Sequence, residues 1–203
     1  RDTDMTLTDN SLATLGFGTL TLNSIETASL TGGAADDVLR ASGFSLGPVT
    51  LVGEAGDDLL LGGSKDDSLV GGNGNDVLIG GEGRDSLNGG DDRDLLIGGA
   101  GADSLTGEAG DDILIGGKTA NIITEVALAE IMTEWISDND YALRVENLLN
   151  GGGSNDETKL NTSTVQIEDN AIDSLTGDAG HDWFFQSLGE GRDVAVGEVI
   201  TTI

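Results

Sequence analysis

The sequence has no cysteine, one proline, one histidine and only nine basic residues against 37 acidic ones. Without cysteine no disulfide can brace the fold, and no thiolate can bind zinc. So few Lys and Arg exclude nucleic acid as a partner, since neutralising phosphates takes clustered cations. An anionic membrane surface is excluded for the same reason. No apolar run approaches the ~20 residues needed to span a bilayer. The chain opens at Arg1 with neither an initiator methionine nor a signal peptide, and the expectation is a piece of a longer protein.

What is present is acid in excess. At a net charge of -28, a compact fold repels itself unless cations sit among the carboxylates, so the composition requires either disorder or bound metal. Disorder fits badly, because 37% of the 203 residues are hydrophobic and they recur at fixed positions. The period is nine. From Gly53 the blocks GEAGDDLLL, GGSKDDSLV, GGNGNDVLI, GGEGRDSLN, GGDDRDLLI, GGAGADSLT and GEAGDDILI run unbroken to Ile115, and GGAADDVLR starts at Gly32. The sixth residue of every block is aspartate and the eighth is leucine. Glycines allow tight turns that expose carbonyl oxygens, and the aspartate adds a hard anionic oxygen beside them. Calcium takes six to eight oxygens, more than one such loop offers, so two loops stacked ~4.8 Å apart must share each ion.

This pattern resembles the G-G-x-G-x-D-x-U-x nonapeptide of the RTX, or hemolysin-type calcium-binding, family. The resemblance covers residues 32–117 and 168–193. It implies an all-β fold, a parallel β-roll, here with a small helical insertion. Carried over position by position, it implies calcium carboxylates from Asp37, Asp58, Asp76, Asp94, Asp112 and Asp182 along one edge. Asp67, Asp85, Asp103 and Asp173 would line the other, each ion taking carboxylates from blocks n and n+2. Backbone oxygens would come from Gly71, Gly72, Asn73, Gly74, Gly80, Gly81, Glu82, Gly83, Gly89, Gly90, Gly98, Gly99 and Gly101, around about six ions. Ala35, Lys65 and Asp92 stand where the pattern has its fourth-position glycine. Functionally, the resemblance implies a non-enzymatic module, secreted or at the cell surface and exported by a type I route. It would fold on meeting calcium and stabilise a larger extracellular protein, which would supply any cell-surface or polysaccharide ligand. The alternative is an adhesin or polysaccharide-binding module that uses a flat polar face of the roll.

The last three residues of a block read as a short strand with the leucine inward and positions seven and nine outward. Outward residues alternate with a period of eighteen. Leu59, Leu61, Val77, Ile79, Leu95, Ile97, Ile113 and Ile115 form a wholly apolar face, whereas Ser68, Ser86, Asn88, Ser104 and Thr106 dominate the other. The apolar face needs a cover. Helical spacing begins near Asn121: Ile123, Val126, Ala127, Ile131 and Trp135 give one stripe over 124–136. Tyr141, Val145, Leu148 and Leu149 give another over 141–150, capped by residues 137–140 and stopped by Gly151. The expected division is an N-terminal β cap (1–31), the roll (32–117), an insertion with two helices packed on the roll (118–167), and resumed degenerate repeats with a C-terminal cap (168–203). Gly43-Phe-Ser45-Leu-Gly47 matches the G-x-S-x-G of serine hydrolases, but Pro48 follows where a helix is needed, and His181 sits in a distant loop. No H-E-x-x-H occurs.

Overall fold

The computed structural model describes residues 4–15, 18–119, 124–152, 158–161, 164–166, 171–186, 194–196 and 199–202. Ile123, Asp193 and most of the expected 155–159 loop lie outside them.

An antiparallel meander of β1 (Met5–Thr8), β2 (Ser11–Thr14) and β3 (Gly18–Thr21) starts the chain. Then come β4 (Ala28–Gly33), β5 (Val38–Gly43), β6 (Val49–Ala55), β7 (Leu59–Leu61), β8 (Ser68–Asn73), β9 (Val77–Glu82), β10 (Ser86–Asp91), β11 (Leu95–Ala100), β12 (Ser104–Ala109) and β13 (Ile113–Ile115). Strands alternate between two parallel sheets, so each of β4 to β11 pairs with the strand two further on, first as Leu30↔Leu51 and Leu39↔Leu60 and then in the eighteen-residue register Leu69↔Leu87 and Leu78↔Leu96. Most strands are longer than the three residues expected. They run into the glycine pair of the next block, where Gly72 still pairs with Gly90.

After β13 the chain leaves the roll through β14 (Lys118–Thr119), α1 (Glu125–Trp135), α2 (Tyr141–Asn150) and β15 (Val165–Gln166). It returns as β16 (Ser174–Ala179), β17 (Trp183–Gln186), β18 (Val194–Val196) and β19 (Val199–Thr202). The larger sheet has the order β19-β17-β13-β11-β9-β7-β5-β1-β2-β3, and the smaller β18-β16-β12-β10-β8-β6-β4.

Eighth-position leucines fill the space between the sheets. Leu39, Leu60, Leu78, Leu96 and Leu114 face Leu51, Leu69, Leu87, Leu105 and Leu175, all buried in one cluster with Phe184. Each contributes ~1.5–3 kcal/mol by leaving water. A second cluster lies outside the larger sheet. There Val77, Leu95, Ile97, Ile113, Ile115, Trp183 and Phe185 pack with Leu128, Ile131, Met132 and Trp135 of α1 and with Leu148 of α2. The helices therefore cover the apolar face from Val77 to Phe185, while Leu59 and Ile79 are partly buried at its margin and Leu61 lies outside the cluster.

Thr124 caps α1 by accepting the Ala127 N–H at 3.2 Å, and Asp140 caps α2 by accepting that of Leu143 at 2.9 Å. Gly151, at φ 81, ends α2. Val126 departs from the expected stripe and is 69% exposed. It sits about 100° around the helix from Ala127, and Leu128 and Met132 complete the buried face in its place.

Candidate metal centre

The sixth-position aspartates form two hydrogen-bonded ladders along the edges of the roll. On the first, the N–H of Asp37 donates to Asp58 Oδ1 at 2.7 Å, Asp58 to Asp76 at 2.8 Å, Asp76 to Asp94 at 2.8 Å, Asp94 to Asp112 at 2.9 Å and Asp112 to Asp182 at 3.1 Å. On the second, Asp67 donates to Asp85 at 2.8 Å, Asp85 to Asp103 at 2.8 Å and Asp103 to Asp173 at 2.7 Å. This ladder starts from the N–H of Val49, because the stretch 41–52 has no aspartate to offer. All ten aspartates are buried.

In every one but Asp37, which starts its ladder, one carboxylate oxygen is thus spent on the rung before. The other Oδ2 atoms of Asp58, Asp76, Asp85, Asp94 and Asp112 are buried and accept no hydrogen bond. Burial pushes their pKa values far up: Asp58 to about 6, Asp85 and Asp112 to about 7, Asp76 to about 8 and Asp94 to about 9. The incoming N–H bond opposes that rise and neighbouring carboxylates add to it. At neutral pH Asp76 and Asp94 therefore hold a proton unless a cation takes its place.

Space for a cation is left by the first glycine of each block. A methyl group on Gly98 would lie 2.5 Å from Asp103 Oδ2 and 2.5 Å from the carbonyl oxygen of Gly116 in the next rung. One on Gly71 would overlap Asp76 Oδ2 and lie 2.6 Å from the Gly89 carbonyl. A carboxylate oxygen and a main-chain carbonyl of the next rung therefore approach one another between rungs, hard oxygens of the kind that calcium takes. Among the described residues no three acidic, histidine or cysteine side chains converge as a metal site, so carbonyls must complete any coordination shell.

Second and fourth loop positions turn the chain through positive φ, as Gly72 (127°) and Gly74 (122°) do in the Gly71–Asp76 loop with Asn73 between them. Gly81 and Gly83 repeat this around Glu82, and Gly99 and Gly101 in the following loop of the same edge. Gly80, Gly89 and Gly98 take the first position, with Gly90 second. Asp92 holds the fourth-position turn at φ 77 despite its side chain.

The repeat did not reveal how the fifth position is used. Along the first edge Asp57 N–H donates to Asp36, Asn75 to Asp57, Arg93 to Asn75 and His181 to Asp111, and along the second Arg84 donates to Asp66, a further set of rungs beside the aspartate ladders. It also grips the helices. Arg144 is buried and ion-paired to Asp111, with its guanidinium 4.7 Å from the centre of the Trp135 ring. Trp135 Nε1–H donates to the Asp111 carbonyl at 2.6 Å, and Arg93 reaches the Ser137 carbonyl at 3.2 Å. Burial alone would raise Asp111, but bonds from Arg144 and His181 hold it below the usual carboxylate range.

Ser45 donates its N–H and its hydroxyl to Asp9. It follows β5, whereas His181 precedes β17, with four strands between those two in the sheet. That separation is roughly 24 Å at ~4.8 Å per strand, too far for a catalytic pair.

Fold and loops together define a parallel β-solenoid with oxygen-lined gaps between its turns. Within it, residues 52–87, 61–96 and 88–123 match the RTX calcium-binding nonapeptide repeat. Residues 52–123 thus carry calcium-binding repeats. No curated protein matches the chain.

Proposed function

We propose that this chain is a calcium-folded structural module of a larger extracellular protein, secreted by a type I route. Unfolded by self-repulsion where calcium is scarce, it gains its folding free energy from the ions it meets outside the cell. Asp37, Asp58, Asp76, Asp94, Asp112 and Asp182 serve one row of ions, and the Asp67, Asp85, Asp103 and Asp173 edge serves the other. Residues 1–31 cap the roll of 32–117, 118–167 cover its apolar face, and 168–203 resume and close it.

The observation that carries this reading is the set of buried carboxylate oxygens on Asp58, Asp76, Asp85, Asp94 and Asp112 that engage no hydrogen bond. Left ionised and unpaired, they would destabilise the fold that buries them. Circular dichroism during a calcium titration tests it. The β signal should rise with calcium and collapse in excess chelator, with affinities of roughly 10⁻⁴–10⁻³ M. A full signal in chelator at neutral pH rejects the proposal.

A second reading, adhesion or polysaccharide binding, draws on the smaller sheet. Ser29, Thr50, Ser68, Ser86, Ser104 and Ser174 stand in register as one column of hydroxyls. Retention of the calcium-loaded chain on a polysaccharide matrix, lost on Ser86→Lys, would favour it.

A further inference from the structure

Asp67 looks like every other sixth-position aspartate in sequence, but its loop is built differently. Its Oδ2 accepts the N–H of Gly63 at 2.6 Å, within its own loop, and its Oδ1 accepts that of Val49 at 2.8 Å. Both oxygens are engaged by main-chain donors, unlike those of Asp58, Asp76, Asp85, Asp94 and Asp112. The backbone departs too. Gly63 and Lys65, at the second and fourth positions, do not take the positive φ that Gly72 and Gly74, Gly81 and Gly83, or Gly99 and Gly101 adopt. The loop at 32–37, first of the other row, shares that departure, as does Gly117 where the excursion opens its loop. Finally, a methyl group on Gly62 would lie 2.9 Å from Asp67 Oδ2, whereas the corresponding approach at every other rung is 2.5 Å or less. The oxygen has swung away from the gap.

The cause lies one rung earlier. Where the second edge should have another aspartate loop, the chain makes the irregular turn of residues 41–48. Gly63 packs directly on it: a methyl group there would meet the Phe44 carbonyl at 2.8 Å and that of Ala41 at 3.2 Å. Loop 62–67 therefore has polypeptide on its N-terminal side, and its carboxylate closes on an amide.

The geometry points to a second ion row that begins at Asp85: Asp67 is a protein-built stop and holds no calcium. This rests on the calcium reading above and revises its ligand set at one position. A carboxylate already held by two N–H groups gains little by exchanging one of them for an ion, and the exchange strands the half-buried Gly63 amide.

Crystals of the whole chain grown in calcium, with anomalous difference maps, test the assignment without any substitution. Ions are expected between loops 80–85 and 98–103 and along the Asp58 edge, and none on Asp67. An ion coordinated by Asp67 overturns the inference while leaving the calcium reading intact. Absence of ions from every gap overturns both. In solution, titration calorimetry should give Asp67→Asn the wild-type number of bound ions and Asp85→Asn at least one fewer; equal losses would contradict the assignment.

Discussion

Replacing Trp135 with alanine should cost more than any other single change in the helical cover. Its ring is fully buried, 6.1 Å from Trp183 and 5.8 Å from Tyr141 between ring centres. Deleting a buried tryptophan and leaving its cavity costs ~3–5 kcal/mol. The Asp111 carbonyl also loses its 2.6 Å bond, worth about 1 kcal/mol. Arg144 loses the face on which its guanidinium rests, worth about 2 kcal/mol more for a desolvated cation. Together these come to ~6–8 kcal/mol, a large part of the ~5–15 kcal/mol of a whole domain. Urea denaturation of wild type and Trp135→Ala at saturating calcium would measure it, with Trp183 as the remaining fluorophore. A loss under about 1 kcal/mol would mean that α1 is not clamped to the calcium loops through this residue.

Acid should substitute for calcium. Asp76 and Asp94 are raised by burial to about 8 and about 9 in the folded chain against ~3.9 when unfolded. The metal-free fold thus binds the extra protons, and their stabilisation is complete below pH ~4 and lost as pH rises through the folded values. In chelator the β signal should therefore recover as pH falls from about 9 to about 5, and a signal that only weakens on acidification would contradict the burial of these groups. Joining Gly117 to Asp173 through three residues restores a nine-residue block, since Gly116 already faces Asp173 Oδ2. That variant should keep its calcium-induced β signal but expose Leu95, Ile97, Ile113 and Ile115, bind a hydrophobic dye and self-associate on size exclusion. A monomer that binds no dye would show that the face needs no cover.

Features that repeat were legible in the sequence. Every coil presents the same problem, a leucine to bury and a loop to turn, so Leu96 and Asp94 announce their positions through seven neighbours that share them. The alternation of Leu95 and Ile97 with Ser86 and Asn88 likewise marked which face is covered. Contacts without a period stayed hidden. The grip of Asp111 on Arg144 joins residues 33 apart, and neither carries a signal until the helices have docked. Lys65 marked its loop as aberrant, but closure of Asp67 on Gly63 follows from the turn at 41–48, whose shape no repeat dictates. Val126 misled because four hydrophobic residues in five positions allow more than one stripe.

The excursion leaves and re-enters the roll inside a single loop, between Gly117 and Asp173, and its two ends pair antiparallel as Lys118↔Gln166 and Thr119↔Val165. Seen from the solenoid, some fifty residues amount to one turn with a closed neck. Because each coil of such a fold touches only its neighbours, and lengthening a loop costs little once its ends are fixed, the site behaves as a docking port. Any compact segment whose termini lie side by side could be hosted there without disturbing the register of the coils on either side. The neck at β14 and β15 is therefore where the molecule can change its surface while keeping its frame.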